Sequence, residues 1–171
     1  RIKSVKNTKK ITKAMEMVAA SKMRKAVEKS LASRTYAELA LELMVNISKD
    51  RILRHPLLRR TGGDKVLLVL MTSNKGLCGG YHVNIYKELQ AYVENKKSAG
   101  GQVDVVCVGR YAERFAKRLG LKTIASYIDL PDNLGIADTR QVSQLLFYEF
   151  ENENYDKVRL LFTSFKTALS N

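Results

Sequence analysis

The first 55 residues lack the two residue types that most often interrupt a helix. No glycine occurs before Gly62 and no proline before Pro56, which predicts a single helix over residues 1–55. At 1.5 Å per residue this helix would be about 80 Å long, more than the diameter of a domain built from the remaining residues. We therefore expect it to protrude.

Cysteines are few and long apolar runs are absent. Cys78 and Cys107 are the only cysteines and form no C-x-x-C pair, which excludes a disulfide scaffold and favours a reducing compartment. No run approaches the roughly 18 apolar residues of a membrane span, and the first ten residues contain no apolar signal region. Because 45% of the residues are hydrophobic and 27% are charged, we expect a soluble globular protein.

Acidic residues are scarce at the N-terminal end. The net charge of the chain is +13; residues 1–60 contribute +11 of it, and residues 1–34 alone carry +9. Such a segment has three interpretations: a solvated helix face, a nucleic-acid arm, or a surface that seeks acidic loops on a protein partner. A DNA-binding zipper is the weaker alternative, because heptads are not sustained and no other nucleic-acid motif is present.

Apolar residues recur along this helix at steps of three and four. The stripe comprises Ile11, Met15 and Val18, and later Tyr36, Ala40, Leu43 and Ile47. Lys22 interrupts its first part, and the small residues around it would let a partner backbone come close. A helix of this length cannot bury such a stripe against itself, so we expect a second helix in a coiled coil.

The periodicity changes after a short linker at residues 56–64. Three mostly apolar runs are typical of parallel strands that are covered on both faces, at residues 66–71, 103–108 and 158–162. Residues 122–128 are a weaker strand candidate. Helical patterns lie between the runs, marked by Ile85, Leu89 and Tyr92, by Tyr111, Phe115 and Leu119, and by Val142, Leu145, Leu146 and Phe150. Residues 65–171 therefore predict an open, Rossmann-like α/β domain with a mainly parallel sheet.

A glycine-rich loop, residues 74–80 (NKGLCGG), follows the first strand at a place where α/β folds often bind phosphates. Its spacing matches neither G-x-G-x-x-G nor G-x-x-x-x-G-K-[ST]. An NADP-type enzyme that uses Gly76 to Gly80 and Arg110 is therefore an alternative rather than the favoured interpretation. The others are a tight turn that requires positive φ and an exposed tip that docks a partner.

Other chemistry has little support in the sequence. Cys78 is a candidate reactive thiolate near Lys75 and a helix N-terminus, but no catalytic base pairs with it. Two distant cysteines, with His55 and His82, do not form a zinc ligand set. The aspartates near residue 130 are explained by turn chemistry.

Two motifs carry a family resemblance. Residues 9–23 (KKITKAMEMVAASKM) closely resemble the N-terminal helix signature of the gamma subunit of F-type ATP synthases, and residues 75–80 (KGLCGG) resemble the second hallmark of that family. The resemblance covers the whole chain, whereas members of the family continue into a long C-terminal helix that pairs with the first one. We therefore expect that this C-terminal shaft helix is missing from the sequence.

The resemblance implies a rotor subunit with no catalytic activity, cofactor, metal or nucleic-acid partner of its own. In this family the terminal helices form a shaft inside a ring of alpha and beta subunits. The α/β domain forms a foot that meets the epsilon subunit and the membrane c-ring. Rotation then couples proton flow to ATP synthesis or hydrolysis in the beta subunits. The expected location is peripheral, at the cytoplasmic face of a bacterial membrane or the equivalent face in an organelle.

The resemblance also assigns candidate contacts with the beta subunits. By position, the helix stretch that faces these subunits comprises Lys9, Lys10, Lys13, Met15 and Lys22. Lys75 falls where the family carries Arg or Lys near an acidic beta-subunit loop, and Cys78 matches a family cysteine in the same neighbourhood.

Overall fold

The computed structural model describes residues 1–49, 55–59, 61–131 and 135–165. The chain divides into two units, Arg1–Leu53 and Arg54–Asn171. In chain order the elements are α1 (Ile2–Lys49), a short 3₁₀ helix (Pro56–Leu58), β1 (Lys65–Met71), α2 (Tyr81–Ser98), β2 (Gln102–Val108), α3 (Arg110–Arg118), β3 (Thr123–Tyr127), α4 (Ile136–Glu151) and β4 (Lys157–Leu161).

The first unit is the single helix α1. Its 48 residues span about 72 Å, and none of its side chains is buried. The helix was predicted to reach residue 55. Residues 50–54 lie outside the described residues, and His55 is extended rather than helical because it precedes Pro56. His55 instead caps the 3₁₀ helix, since its Nδ1 accepts the N–H of Leu57 at 3.2 Å.

The second unit is built on a four-stranded sheet in the order β3-β2-β1-β4. All three strand pairs are parallel, which confirms the predicted α/β fold with a mainly parallel sheet. β1 and β2 lie at the centre, and their side chains are buried on both faces. The sequence shows them as mostly apolar runs for this reason.

Helices cover both faces of the sheet. On one face α2 and α3 pack against the strands, with Ile85, Leu89 and Phe115 in the core. On the other face α4 contributes Leu145 and Leu146. These residues all belong to the predicted helical stripes.

The edge strands differ slightly from their predicted bounds. β3 occupies Thr123–Tyr127 of the weak candidate at 122–128. β4 ends at Leu161, one residue before the predicted end, and Phe162 beyond it is exposed. Both edge strands are only partly buried, because each has a neighbouring strand on one side only.

The segment predicted as a linker, residues 56–64, belongs to the second unit and makes defined contacts within it. The Arg59 guanidinium donates to the Phe150 carbonyl at 2.7 Å, and its carbon lies 4.8 Å from the centroid of the Phe150 ring. The Thr61 hydroxyl donates to the Asp156 carbonyl at 2.9 Å. The described part of this segment is therefore held against the end of α4 and the start of β4.

Two carboxylates tie distant parts of the unit together. Asp64 lies just before β1. Its Oδ1 accepts hydrogen bonds from the Nζ of Lys96 on α2 at 2.7 Å and from the Nζ of Lys157 on β4 at 3.0 Å. The hydrogen bond from Lys96, followed by that from Lys157, lowers the pKa of Asp64. Asp104, buried on β2, accepts the Tyr155 hydroxyl at 2.7 Å. Burial raises the pKa of Tyr155, and this hydrogen bond acts in the same direction, so the phenol remains a donor.

Candidate partner-binding site

The glycine-rich loop begins by capping a neighbouring helix. The Thr72 N–H donates to the Val108 carbonyl at 2.8 Å and continues the β1–β2 pairing. The Thr72 hydroxyl accepts the N–H of Ala112 at 2.8 Å, and the Asn74 side-chain oxygen accepts the N–H of Arg110 at 2.8 Å. Because the first N–H groups of a helix have no partner within it, these side chains stabilise the start of α3.

Gly109 makes this close approach possible. Its φ is 94°, in the region that favours glycine, and a Cβ at this position would overlap the Thr72 carbonyl. Its N–H donates to the Tyr127 carbonyl at 2.9 Å. The turn from β2 into α3 therefore requires glycine for both backbone conformation and space.

The imidazole of His82 is hydrogen-bonded to the loop at Ser73 and Lys75. It is buried in the first turn of α2, and its Nε2 lies 3.1 Å from the Lys75 carbonyl oxygen and 3.2 Å from the Ser73 hydroxyl. A carbonyl oxygen only accepts, so Nε2 carries the proton that is donated to Lys75. The ring stacks on Tyr111 of α3, with centroids 3.6 Å apart. The loop is thus linked to both α2 and α3.

The tip of the loop projects into solvent. Gly76 lies against the Tyr111 hydroxyl, which is 3.0 Å from where its Cβ would be. Leu77 is fully exposed with φ at 60°, and Gly79 has φ at 57°. The predicted positive φ is confirmed at Gly79, and an unpredicted one occurs at Leu77. A left-handed Leu with no buried surface is unusual, and it places an apolar side chain at the outermost point of the loop.

This geometry does not favour a nucleotide phosphate at the start of α3. The N–H groups of Arg110 and Ala112 are already bonded to Asn74 and Thr72. A phosphate at this terminus would have to displace these loop side chains. The Arg110 side chain is exposed on α3.

The two cysteines have different environments. Cys78 is exposed at the loop tip, whereas Cys107 is buried on β2. Burial raises the pKa of Cys107 to about 11, which makes its thiolate rare at neutral pH. Across the residues that the structure describes, no group of three or more His, Cys, Asp or Glu side chains could hold a metal ion.

The five candidate contacts on α1 are all exposed: Lys9, Lys10, Lys13, Met15 and Lys22. Lys13 pairs with Glu16 at 2.9 Å. At about 100° per residue, Met15 and Lys22 share one side of the helix, and Lys9 and Lys13 lie roughly opposite. These residues therefore surround the helix instead of sharing one face. Met15 and Lys22 lie on the side of the apolar stripe, which is exposed over Ile11, Val18 and Leu43.

The remaining candidates, Lys75 and Cys78, lie together in the glycine-rich loop, and both are exposed. His82 was not predicted as the residue that holds this loop. A signal was available, because His82 continues the buried stripe of Ile85, Leu89 and Val93 back by one turn.

The whole chain, residues 1–171, matches the family described as ATP synthase. Its relatives include the ATP synthase gamma chains of Heliobacterium modesticaldum and Desulfitobacterium hafniense, at 38% and 36% identity over 99% of this chain. The chain belongs to the ATP synthase gamma chain family. It spans 58% and 60% of the length of these two gamma chains.

A solved structure with a similar backbone also supports the assignment to this family. The central stalk and c-ring of the mitochondrial ATP synthase of Tetrahymena thermophila contains a similar chain, with a TM-score of 0.70 and 28% identity. The similarity covers 94% of the present chain and 68% of the other. These matches give no support to the NADP-type enzyme. Within the described residues no helix is long and apolar enough to cross a membrane.

Proposed function

We propose that the chain is part of the central rotor shaft of an F-type ATP synthase and has no catalytic site of its own. The observation that carries this proposal is the exposure of large apolar side chains along α1. Its 48 residues include no buried side chain, yet Ile11, Met15 and Leu43 are large, apolar and exposed. Apolar stripes of this kind are stable in water only when another chain or segment covers them.

The distribution of contact residues around α1 fits an asymmetric shaft. One side presents the apolar stripe with Met15 and Lys22, and the roughly opposite side presents Lys9 and Lys13. A paired helix would cover the apolar side, and acidic groups on surrounding subunits would meet the lysines. As the shaft turned, each beta subunit would meet a different face in turn. Such differential contacts would shift the conformational populations of the three catalytic sites.

The α/β unit is proposed as the foot of the rotor, which meets the epsilon subunit and the c-ring. The gamma-chain relatives and the solved central stalk support this assignment. The chain would then act at the membrane surface, on the cytoplasmic face in a bacterium or the equivalent face in an organelle. Proton flow through the c-ring would turn the foot, and the shaft would transmit the rotation to the alpha and beta subunits.

The glycine-rich loop is proposed as a second contact with the beta subunits. Its tip presents Leu77 and Cys78 beside Lys75, and all three are exposed. The hydrogen bonds of Ser73 and His82 to the Lys75 carbonyl fix the backbone that carries these side chains. A fixed loop loses less conformational freedom on docking, and the positive charge of Lys75 would complement an acidic loop on the beta subunit.

The test is charge reversal at Lys75 in the assembled synthase. We expect Lys75→Glu to reduce proton-driven ATP synthesis about tenfold or more, because like charges facing each other across an interface cost several kcal/mol. Lys75→Arg should retain synthesis. The control is Lys97→Glu, an exposed residue at the end of α2. Equal activities for Lys75→Glu and Lys97→Glu would contradict the proposed role of Lys75. Absence of a gamma chain that carries residues 1–171 from a purified complex of alpha, beta and epsilon subunits would contradict the proposed rotor function.

A further inference from the structure

Helix α3 carries a concentrated positive charge that the proposed rotor function does not use. Its nine residues include four basic side chains and one acidic side chain, Glu113. We define the basic face of α3 as the four cations, which are Arg110, Arg114, Lys117 and Arg118. At about 100° per residue these four lie within about 100° of one another around the helix. They are all exposed, so they form one continuous cationic surface.

Two of these arginines are held in place by aromatic rings. The Arg114 guanidinium carbon lies 5.2 Å from the centroid of Tyr111, and that of Arg118 lies 5.6 Å from the centroid of Tyr86 on α2. Both distances fall within the range of cation–π attraction. The rings themselves are packed, since Tyr111 stacks on His82 and Tyr86 contacts Phe115 at 4.9 Å between centroids.

These arginines have no carboxylate within 4 Å among the described residues. An exposed arginine normally loses side-chain freedom when it forms an ion pair. Stacking on a packed ring reduces the side-chain entropy that is lost when an ion pair forms, because the guanidinium is already ordered. The planar fork of arginine also matches a carboxylate in a two-point hydrogen bond.

We infer that the basic face of α3 is a docking surface for an acidic α-helix of a partner protein. Arg110, Arg114 and Arg118 recur every four residues, which is about 6 Å along the helix axis. Carboxylates at four-residue spacing on a second helix have the same repeat, so three pairs form in register when the two helices lie side by side. The inference goes beyond the proposed function: α3 belongs to the α/β unit that is proposed as the foot, but the proposed function assigns no contact to its basic face.

The surroundings of the basic face favour a protein helix over a lipid surface. Membrane-binding helices combine cations with exposed large apolar side chains that insert among the lipids. On α3 the large apolar side chains are buried or half-buried, as Phe115 and Tyr111 show. The face therefore offers ion pairing without an inserting group, which suits a row of carboxylates.

The test uses residues 1–171 and two synthetic peptides of about 15 residues, a length at which an Ala-rich helix is marginally stable. One peptide carries three glutamates at four-residue spacing. The other has the same composition with the glutamates distributed around the helix. Because α1 is also basic, it attracts both peptides, and the difference between their affinities is the informative quantity. We expect the spaced peptide to bind more tightly.

Substitutions locate the effect on α3. The double substitution Arg114→Gln and Arg118→Gln should weaken binding of the spaced peptide about tenfold and remove the preference between peptides. Arg114→Lys with Arg118→Lys keeps the charge but loses the planar fork, and should reduce the preference in part. The matched control is Lys87→Gln with Lys97→Gln on α2, which removes the same charge and should leave the preference intact. Circular dichroism and urea unfolding establish that each variant is folded.

Several outcomes would overturn the inference. These are equal affinity for the two peptides, no binding of the spaced peptide, and an equal loss of preference in the α2 control. Tighter binding to phosphatidylserine vesicles or duplex DNA than to the spaced peptide, with loss of that binding in the Gln variant, would assign the face to lipid or nucleic acid instead.

Discussion

The imidazole of His82 lies flat on the ring of Tyr111, with centroids 3.6 Å apart and planes 13° from parallel. The two residues come from α2 and α3, and the loop that ends at α2 is bonded to the same imidazole. A single side chain therefore connects the loop tip to both helices on one face of the sheet. The exposed side chains of Lys75, Leu77 and Cys78 depend on this connection for their position.

Removal of His82 should loosen the loop more than it weakens the fold. We expect His82→Ala to lower the free energy of unfolding by about 1–3 kcal/mol, from the lost stack and the hydrogen bond to Lys75. The loop amides that are hydrogen-bonded are those of Tyr81 and Asn84, which donate to the Cys78 and Gly80 carbonyls. Their hydrogen exchange should accelerate by a larger factor than exchange in β1. Urea unfolding and exchange detected by mass spectrometry measure the two effects.

Two variants separate the contributions of His82. His82→Phe keeps a ring against Tyr111 but loses the hydrogen bond, so it should restore stability in part and leave the loop amides fast. Val83→Ala, at an exposed neighbour in α2, should change neither quantity. If the loop amides in His82→Ala exchanged as slowly as in the original chain, the proposed support of the loop by His82 would be wrong.

Three glycines form a graded series for testing backbone requirements. Gly62 has open space and no positive φ, Gly100 has open space with φ at 77°, and Gly109 has φ at 94° with the Thr72 carbonyl in the way. We expect Gly62→Ala to be nearly neutral, and Gly100→Ala to cost about 1–2 kcal/mol from the left-handed conformation. Gly109→Ala should cost more than Gly100→Ala, because the overlap adds to the strain. Urea unfolding of all three gives the order, and equal costs at 100 and 109 would contradict the overlap.

The central strands were the most predictable part of the fold. Residues 66–71 are apolar without interruption, and residues 103–108 are apolar except for Asp104. Short runs of this kind are typical of strands that are buried on both faces. The edge strand Thr123–Tyr127 was a weak candidate because its side chains are only partly buried. The predicted helix end at residue 55 rested on Pro56 as the stop, whereas Pro56 begins a separate 3₁₀ helix that His55, in an extended conformation, caps. Residues 50–54, where the helix was predicted to continue, lie outside the described residues.

The arrangement of the candidate site was harder to predict than its residues. Motifs placed Lys75 and Cys78 in a loop, and the loop was correctly located between β1 and α2. Nothing local indicated that His82 would meet Tyr111, which is 29 residues away in the sequence. That contact depends on α2 and α3 covering the same face of the sheet. Sequence periodicity identifies the buried side of each helix but not which face of the sheet it covers.

Asp64 should make the free energy of unfolding depend on pH in the acidic range. Lys96 and Lys157 lower its pKa in the folded chain, so the unfolded chain binds a proton at a higher pH than the folded one. Stability from this group is present above the ordinary value of about 3.9 and is lost as the pH falls through the lower folded value. We therefore expect Asp64→Asn to be less stable than the original chain near neutral pH, and the difference to shrink as the solution is acidified.

Urea unfolding at a series of pH values from neutral downward measures this dependence. Asp129→Asn, at an exposed carboxyl without a described lysine partner, is the control and should leave the acid side of the profile unchanged. A constant difference between Asp64→Asn and the original chain at every pH would mean that the two lysine contacts do not lower the pKa of Asp64.

The two cysteines provide a direct chemical test of the loop. Cys78 is exposed and Cys107 is buried with its pKa raised to about 11, so a thiol reagent near neutral pH should modify the folded chain at Cys78 alone. Denaturant should make both cysteines reactive, and Cys78→Ser should leave the folded chain unmodified.

In the assembled synthase the loop tip would be covered by the proposed beta-subunit contact, and modification of Cys78 should slow several-fold relative to the free chain. Mass spectrometry after timed labelling gives each rate. Fast labelling of Cys107 in the folded chain would contradict the buried position of β2, whereas an unchanged rate at Cys78 on assembly would contradict only the proposed contact.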